Sequence, residues 1–189
     1  MSNVDDIFLI KQTQAGRREA FRFLVLRHQQ SVFYLLRALI RDPAVVEELA
    51  QETFLRAYKA LNTFQPERDP RFSTWLFTIA RNLAFNESAK RKVRREKNGL
   101  LQDEPEAAES GAEEMLIRRE NAALLQDAML RLPEPYRAAV ALSYLSEIST
   151  AEIAAVEGCA EGTVKSRIHR GKKMLRDILA PLLNKKETK

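Results

Sequence analysis

One cysteine, Cys159, stands in a chain of 189 residues. That excludes an intrachain disulfide framework and every multi-cysteine metal site, and it suits a reducing compartment. No apolar run reaches the ~18 residues that a membrane span needs. The first residues, MSNVDDIFLIKQ, carry acids where a secretory signal carries lysines. Six glycines and seven prolines are too few for a low-complexity chain. No segment alternates apolar and polar residues as a half-buried strand does. A Walker lysine loop, a metal-ligand cluster and a Ser/His/Asp set are all missing, which argues against an enzyme. The expectation is a soluble, cytoplasmic, all-α protein with no cofactor, no metal, no small-molecule substrate and no membrane insertion.

What the chain does have is charge, unevenly placed. Apolar residues make up 45% and charged residues 30%, a globular composition, with a net charge of +5. Residues 1–97 hold 18 basic and 11 acidic side chains, a net of +7. Residues 98–114 hold six acids and no base, and residues 115–189 hold 13 bases and nine acids, nets of −6 and +4. Two basic blocks therefore flank an acidic strip. Basic segments attract phosphates and gain from counterion release, although lysines that merely solvate a surface give the same totals.

The strip, NGLLQDEPEAAESGAEE, holds Gly99, Pro105, Ser110 and Gly111 among its acids and shows no helical stripe. It reads as a flexible linker over 98–114 between helical domains at 1–97 and 115–189. Helices are expected over Val4–Thr13, Arg18–Ile40, Ala44–Leu61 and Thr74–Lys97, then over Glu114–Arg131, Pro135–Leu145, Thr150–Glu157 and Glu161–Leu183. Asp42 followed by Pro43 supplies a cap and a first position for the third helix, and Ser73 reads as the cap of the fourth.

Thr150–Ile168, TAEIAAVEGCAEGTVKSRI, has the pattern of a helix-turn-helix. Ile153, Ala154 and Val156 line a short helix, and Gly158 stands where a sharp turn needs positive φ. The next helix turns Val164, Ile168, Leu175, Ile178, Leu179 and Leu182 inward. Lys165, His169 and Lys173 face outward, with Ser166 and Arg170 beside them, a face suited to a major groove. A plain αα-hairpin with a solvated basic face is the other reading. Glu157 stands where such motifs usually bury an apolar residue, so it is expected to point outward or to loosen the packing. Cys159 is expected to be a small buried filler.

In the first block, the helix VVEELAQETFLRAYKAL turns Val46, Leu49, Ala50, Thr53, Phe54, Ala57 and Leu61 inward. Glu48, Gln51, Glu52, Leu55 and Lys59 fall on the other side. Leu among acids and amides suggests a partner surface, since carboxylates on a solvated helix lack the desolvation that would tune them for acid/base work; a purely solvated face is the alternative. Over Thr63–Asn86, Phe64, Phe72, Trp75, Phe77 and Phe85 are interleaved with Arg68, Arg71, Ser73, Arg81, Asn82 and Asn86. Rings that stack bases, arginines that track phosphates and amides that read base edges are what single-stranded nucleic acid requires. Any one of these rings could equally belong to the core. Lys90, Arg91, Lys92, Arg94, Arg95 and Lys97 continue the helix as a basic stripe.

Three stretches carry a resemblance: ELAQETFLRAYKAL, FSTWLFTIARNLAFN, and LPEPYRAAVALSYL followed by STAEIAA and GCAEGTVKSRIHRGKKML. In this order they resemble the bacterial RNA polymerase sigma factors of the extracytoplasmic-function group within the sigma-70 family. The resemblance implies that Glu48, Leu49, Gln51, Glu52 and Leu55 lie in a helix docking on the polymerase β′ coiled coil. Phe64, Arg71, Phe72, Ser73 and Trp75 would border the strand-opening region at the minus-ten element. Arg81, Asn82, Phe85, Asn86 and Arg91 would read or hold the displaced non-template strand. Thr163, Lys165, Ser166, Arg167, His169, Arg170 and Lys173 would face the minus-thirty-five major groove. The implied partners are core RNA polymerase, through its β′ coiled coil and β flap, promoter DNA and an anti-sigma factor. The implied role is initiation at promoters of a stress or envelope regulon.

Such a protein opens DNA without ATP if it captures unstacked bases, at about 1–3 kcal/mol per base stacked on a ring. A linker of ~17 residues extends roughly 55 Å at most, enough for two small domains to reach elements about two DNA turns apart. Two other classes compete. A stand-alone helix-turn-helix regulator would bind duplex tightly as a dimer and would leave the aromatic and arginine region without a role. A nucleic-acid enzyme would need catalytic motifs that the sequence lacks.

Overall fold

The computed structural model describes residues 3–68, 70–98, 113–145 and 148–184, and among them every regular element is helical. In chain order these are α1 (Asn3–Gln14), α2 (Glu19–Leu39), α3 (Pro43–Ala60), a 3-10 turn (Leu61–Thr63), α4 (Phe72–Asn98), α5 (Glu113–Arg131), α6 (Glu134–Ser143), α7 (Thr150–Glu157) and α8 (Glu161–Asn184). The all-α expectation holds. Most of the expected acidic linker, 99–112, lies outside the described residues.

Local chemistry accounts for the boundaries. Asp42 accepts a hydrogen bond from the Ala44 amide at 3.0 Å, and Pro43 occupies the first turn, whose amide would have had no intrahelical partner. Gly16 and Gly158 both take positive φ. Gly158 caps α7 in the left-handed region that other residues enter only at a cost. Ser149 and Glu152 form a reciprocal capping box at the start of α7.

Ser73 is not the cap of α4. That helix begins at Phe72, the Trp75 amide already bonds to the Arg71 carbonyl, and Ser73 is buried within the first turn. The cause is an aromatic cluster. Phe72, almost fully buried, packs its ring against Phe64, Trp75 and His28, with centroids 6.1, 5.8 and 5.4 Å away. Helical backbone from Phe72 puts Phe72, Trp75 and Leu76 on one side at steps of three and four.

At the centre lies α2. From the N-terminal half α1, α3 and α4 pack around it, and from the C-terminal half α5 and α6 do. Its buried residues Leu24, His28, Val32, Leu35, Leu36 and Leu39 recur at helical spacing. Gln14 ties α1 to the 3-10 turn, its Nε2 donating to the carbonyls of Leu61 and Phe64 at 2.8 Å each. In the C-terminal half, α8 crosses α6 closely at Gly171.

The two halves are packed together. The C-terminal end of α2 leaves carbonyls without helical partners, and side chains from the other half satisfy them. Gln126 of α5 donates to the Arg37 and Ile40 carbonyls at 3.0 and 3.3 Å, and Arg137 of α6 donates to Leu39 at 3.2 Å. Arg41 pairs with Asp127 at 3.1 Å. On another side of the bundle, α7 packs on α4.

Candidate nucleic-acid interface

In the helix-turn-helix, Val164 is fully buried, Leu175 is buried, and Ile168, Ile178 and Leu179 are half-buried, which fixes the register of α8. That register leaves Thr163, Lys165, Ser166, His169, Arg170 and Lys173 exposed along one side. Lys165 pairs with Glu161 one turn earlier at 2.8 Å, an exposed contact that contributes little and yields easily to a phosphate.

Arg167 differs from its neighbours. It is half-buried, and its Nη1 donates to Glu157 Oε2 at 3.1 Å and approaches Cys159 Sγ at 3.5 Å. It braces the turn and stands apart from the outer face. Glu157 corrects the expectation made for it, since its side chain is 0% exposed and so points inward. A carboxylate replaces the usual apolar residue without loosening the packing because two guanidinium groups satisfy it: Arg167 from α8, and Arg81 from α4 at 2.8 Å. Cys159 is half-buried, more open than a core filler.

On α4, Asn82 and Asn86 are exposed, and Trp75 and Phe85 are half-buried. The Arg81 guanidinium lies 4.1 Å above the Phe85 ring. The Lys90, Lys92 and Arg94 side chains are exposed. Arg91 is already engaged, with Asp42 at 3.0 Å and Glu87 at 3.1 Å. Burial would lower the Arg91 pKa, yet the two carboxylates outweigh it and leave the value raised. The Arg91 hydrogen bond in turn holds Asp42 below its ordinary value, against slight burial and with help from the Ala44 and Val45 amides. Phe64, Phe72 and Ser73 are buried in the core, so they support this surface from beneath.

On α3, Glu48 and Gln51 are exposed, Glu52 is half-buried and pairs with Arg56 at 2.6 Å, and Leu55 is 46% exposed. Leu49 belongs to the core. Beside Leu55 runs an apolar groove between α2 and α3, lined by Phe21, Val25, Phe33, Phe54 and Tyr58 with Gln29 and Gln51. The Val25, Gln29, Phe33 and Tyr58 side of this groove was not anticipated. Its signal was present: Phe21, Val25, Gln29 and Phe33 recur every four residues, a second stripe beside the core stripe of α2.

Among the described residues no group of three His, Cys, Asp or Glu side chains could hold a metal ion, and no helix is long and apolar enough to cross a membrane. The arrangement offers two cationic surfaces and an apolar groove.

Residues 24–95 match the model of sigma-70 region 2, and residues 122–175 match that of sigma-70 region 4. The ECF RNA polymerase sigma factor SigW of Bacillus subtilis is 32% identical, over 92% of this chain and 96% of its own. The RNA polymerase sigma-H factor of Pseudomonas aeruginosa is 32% identical over 97% and 98%. Among solved structures, CnrH in complex with the cytosolic domain of CnrY has a TM-score of 0.69 at 26% identity, covering 94% of this chain and 98% of that one. The sigma factor RpoE of Bartonella quintana, in complex with the anti-sigma factor NepR, also has a TM-score of 0.69, at 25% identity over 85% and 96%. The chain belongs to the RNA polymerase sigma factors of the extracytoplasmic-function group, which are transcription initiation factors rather than enzymes.

Proposed function

We propose that this chain directs core RNA polymerase to promoters with paired minus-thirty-five and minus-ten elements, and that it opens the DNA by capturing non-template bases. Residues 1–97 act as the polymerase-binding and minus-ten module, 98–114 as an acidic linker, and 115–189 as the minus-thirty-five module. The observation that carries this reading is the outer face of α8, where Lys165, Ser166, His169, Arg170 and Lys173 stand exposed on a helix anchored by buried Val164. A groove-reading helix needs both an exposed polar face and a fixed register.

Asn82, Asn86, Trp75 and the Arg81–Phe85 pair supply amides, rings and a cation for a displaced strand. The groove beside Leu55, with Glu48, Gln51 and Glu52 nearby, suits the polymerase β′ coiled coil. An anti-sigma factor is the expected inhibitor, since the CnrH relative is held by CnrY and the RpoE relative by NepR. The cytoplasm is the expected compartment, and a stress or envelope regulon the expected target.

Run-off transcription with core polymerase on a promoter library tests the reading. Specific initiation is expected, and its absence across the library defeats it. Trp75→Ala and Asn82→Ala should impair open-complex formation, read by permanganate footprinting, while polymerase binding is retained.

A further inference from the structure

Helix α1 grips the connection between α3 and α4 at three places. Gln14 holds its start, where the two Nε2 hydrogens donate to the carbonyls of Leu61 and Phe64, each at 2.8 Å. Lys11 Nζ meets Glu67 Oε1 at 2.8 Å. Asp6 supports its end through His28, whose Nε2 lies 2.9 Å from Asp6 Oδ2 and whose ring centroid is 5.4 Å from that of Phe72. Phe64, Arg71 and Phe72, assigned above to the border of the strand-opening region, all lie on this connection or at its junction with α4. The Phe64 ring packs on Trp75 with centroids 4.9 Å apart. Half-buried Trp75 therefore rests on a residue whose backbone Gln14 holds.

Of the three ties, Gln14 constrains the connection most directly. Lys11–Glu67 is an exposed ion pair and contributes little. Asp6 and His28 reach the connection only through ring packing. Gln14 instead fixes two backbone carbonyls across the bend where the 3-10 turn gives way to extended backbone at Phe64. It sets the direction in which the chain leaves α3. A binding site on a connection is held less precisely than one on a helix, and a misplacement of ~1 Å can cost about 10²-fold in rate. We infer that Gln14 is a positioning residue for the minus-ten element. Its clamp sets the geometry in which Phe64 and Trp75 receive displaced bases, and so how sharply minus-ten sequences are distinguished. This inference rests on the functional reading given above, and it gives α1 a part in promoter choice without a DNA contact of its own.

The test uses the full-length chain assembled with core polymerase. Gln14→Met keeps the side-chain length and the helix propensity and removes both donors. Gln14→Lys returns a donor to each carbonyl. Ile10→Val, at a buried position of α1, loosens the same helix without touching the connection and controls for stability. Run-off transcription is measured on a promoter selected with the wild-type holoenzyme and on copies carrying single-base changes in the minus-ten element. The readout is the ratio between them. Phosphate attraction carries no sequence information, so the added charge of Gln14→Lys cancels in that ratio.

Gln14→Met should lower the ratio at least about fivefold, a small part of what a ~1 Å displacement can cost. Gln14→Lys and Ile10→Val should stay near wild type. Trp75 is the single tryptophan of the chain, so its fluorescence reports the same site in the free protein. In Gln14→Met its emission should shift to longer wavelength and be quenched more readily by acrylamide. All variants are read below the temperature at which the least stable begins to unfold, followed by circular dichroism. An unchanged ratio or an unchanged Trp75 signal in Gln14→Met would overturn the inference. So would a loss of discrimination that Ile10→Val shares or that Gln14→Lys fails to restore. A wild-type holoenzyme that initiates nowhere, or equally on every minus-ten sequence, defeats the functional reading instead.

Discussion

Gly171 of α8 lies directly against Val140 of α6, so close that a Cβ on the glycine would sit 2.6 Å from Val140 Cγ2. Val140 is fully buried and β-branched, and the Tyr136 backbone oxygen and Cβ would each be 3.3 Å away. None of these atoms can retreat cheaply. Alanine gains about 1 kcal/mol of helix propensity over glycine, but overpacking a buried contact costs ~1–3 kcal/mol. With Val140 Cγ2 only 2.6 Å away the cost lies at the upper end of that range, so Gly171→Ala should destabilise the chain by up to about 2 kcal/mol in urea unfolding. Val140→Ala should relieve part of that cost in the double variant. A Gly171→Ala protein as stable as wild type would mean that α6 and α8 can separate freely at this crossing.

Asp6 joins α1 to α2 through a buried cluster, accepting from Arg27 Nη1 at 2.5 Å and from His28 Nε2 at 2.9 Å. Burial alone would raise its pKa. The His28 hydrogen bond and charge, then those of Arg27, outweigh burial and leave it lowered. A carboxyl whose folded pKa is depressed stabilises the fold fully above its unfolded value of ~3.9. That stability declines as pH falls from about 5 through the folded pKa. Asp6→Asn should cost about 1–3 kcal/mol at pH 7, and the gap from wild type should close as the pH falls through 4 towards 3. Urea midpoints against pH measure this. A gap independent of pH would assign the loss to packing and not to ionisation.

How much of this was readable beforehand follows from the range of the interactions. The helices, the Asp42–Pro43 start and the Gly158 turn depend on neighbours a few residues away, so periodicity and capping chemistry sufficed. Ser73 was misread because a good capping residue stood one place too late. The burial of Phe72, decided by Phe64 and His28 on other elements, set the boundary. Glu157 looked like a flaw because its partner Arg81 is 76 positions away. Leu49 already stood on the inward stripe of its helix, whereas composition left Phe64 and Phe72 open between core and surface. Packing shows that these three and Ser73 lie beneath the surface. Arg167 shares the composition of its basic neighbours but falls on the side of α8 that meets the turn.

Leu55 offers a direct check on the polymerase-facing surface. Full burial of a leucine contributes about 1.5–3 kcal/mol, and truncation to alanine forfeits most of it while favouring the helix. If the groove beside Leu55 receives the polymerase, Leu55→Ala should weaken binding to core polymerase by roughly tenfold, about 1.4 kcal/mol. Thermal stability should stay near wild type, because Leu55 is already 46% exposed. Anisotropy titration of the labelled chain with core polymerase measures the effect. Unchanged affinity would move the docking surface away from the outer face of α3.

The split within α8 between an outer face and a bracing arginine gives the sharpest contrast. Lys165 and Arg170 are exposed, so their alanine variants should leave the unfolding temperature unchanged and weaken holoenzyme binding to the minus-thirty-five element. A base contact costs ~1–3 kcal/mol and relaxes preference at one position. A phosphate contact instead weakens all sequences alike and reduces the salt slope by about 0.9 on duplex DNA. Arg167→Ala should behave otherwise. It removes one of the two guanidinium groups on fully enclosed Glu157, at a cost of about 1–3 kcal/mol. Its DNA binding should fall only as far as folding does, and lowering the temperature should restore it. If Arg167→Ala keeps full stability yet loses sequence preference at one base pair, Arg167 reads DNA after all and swings away from Glu157 in the complex.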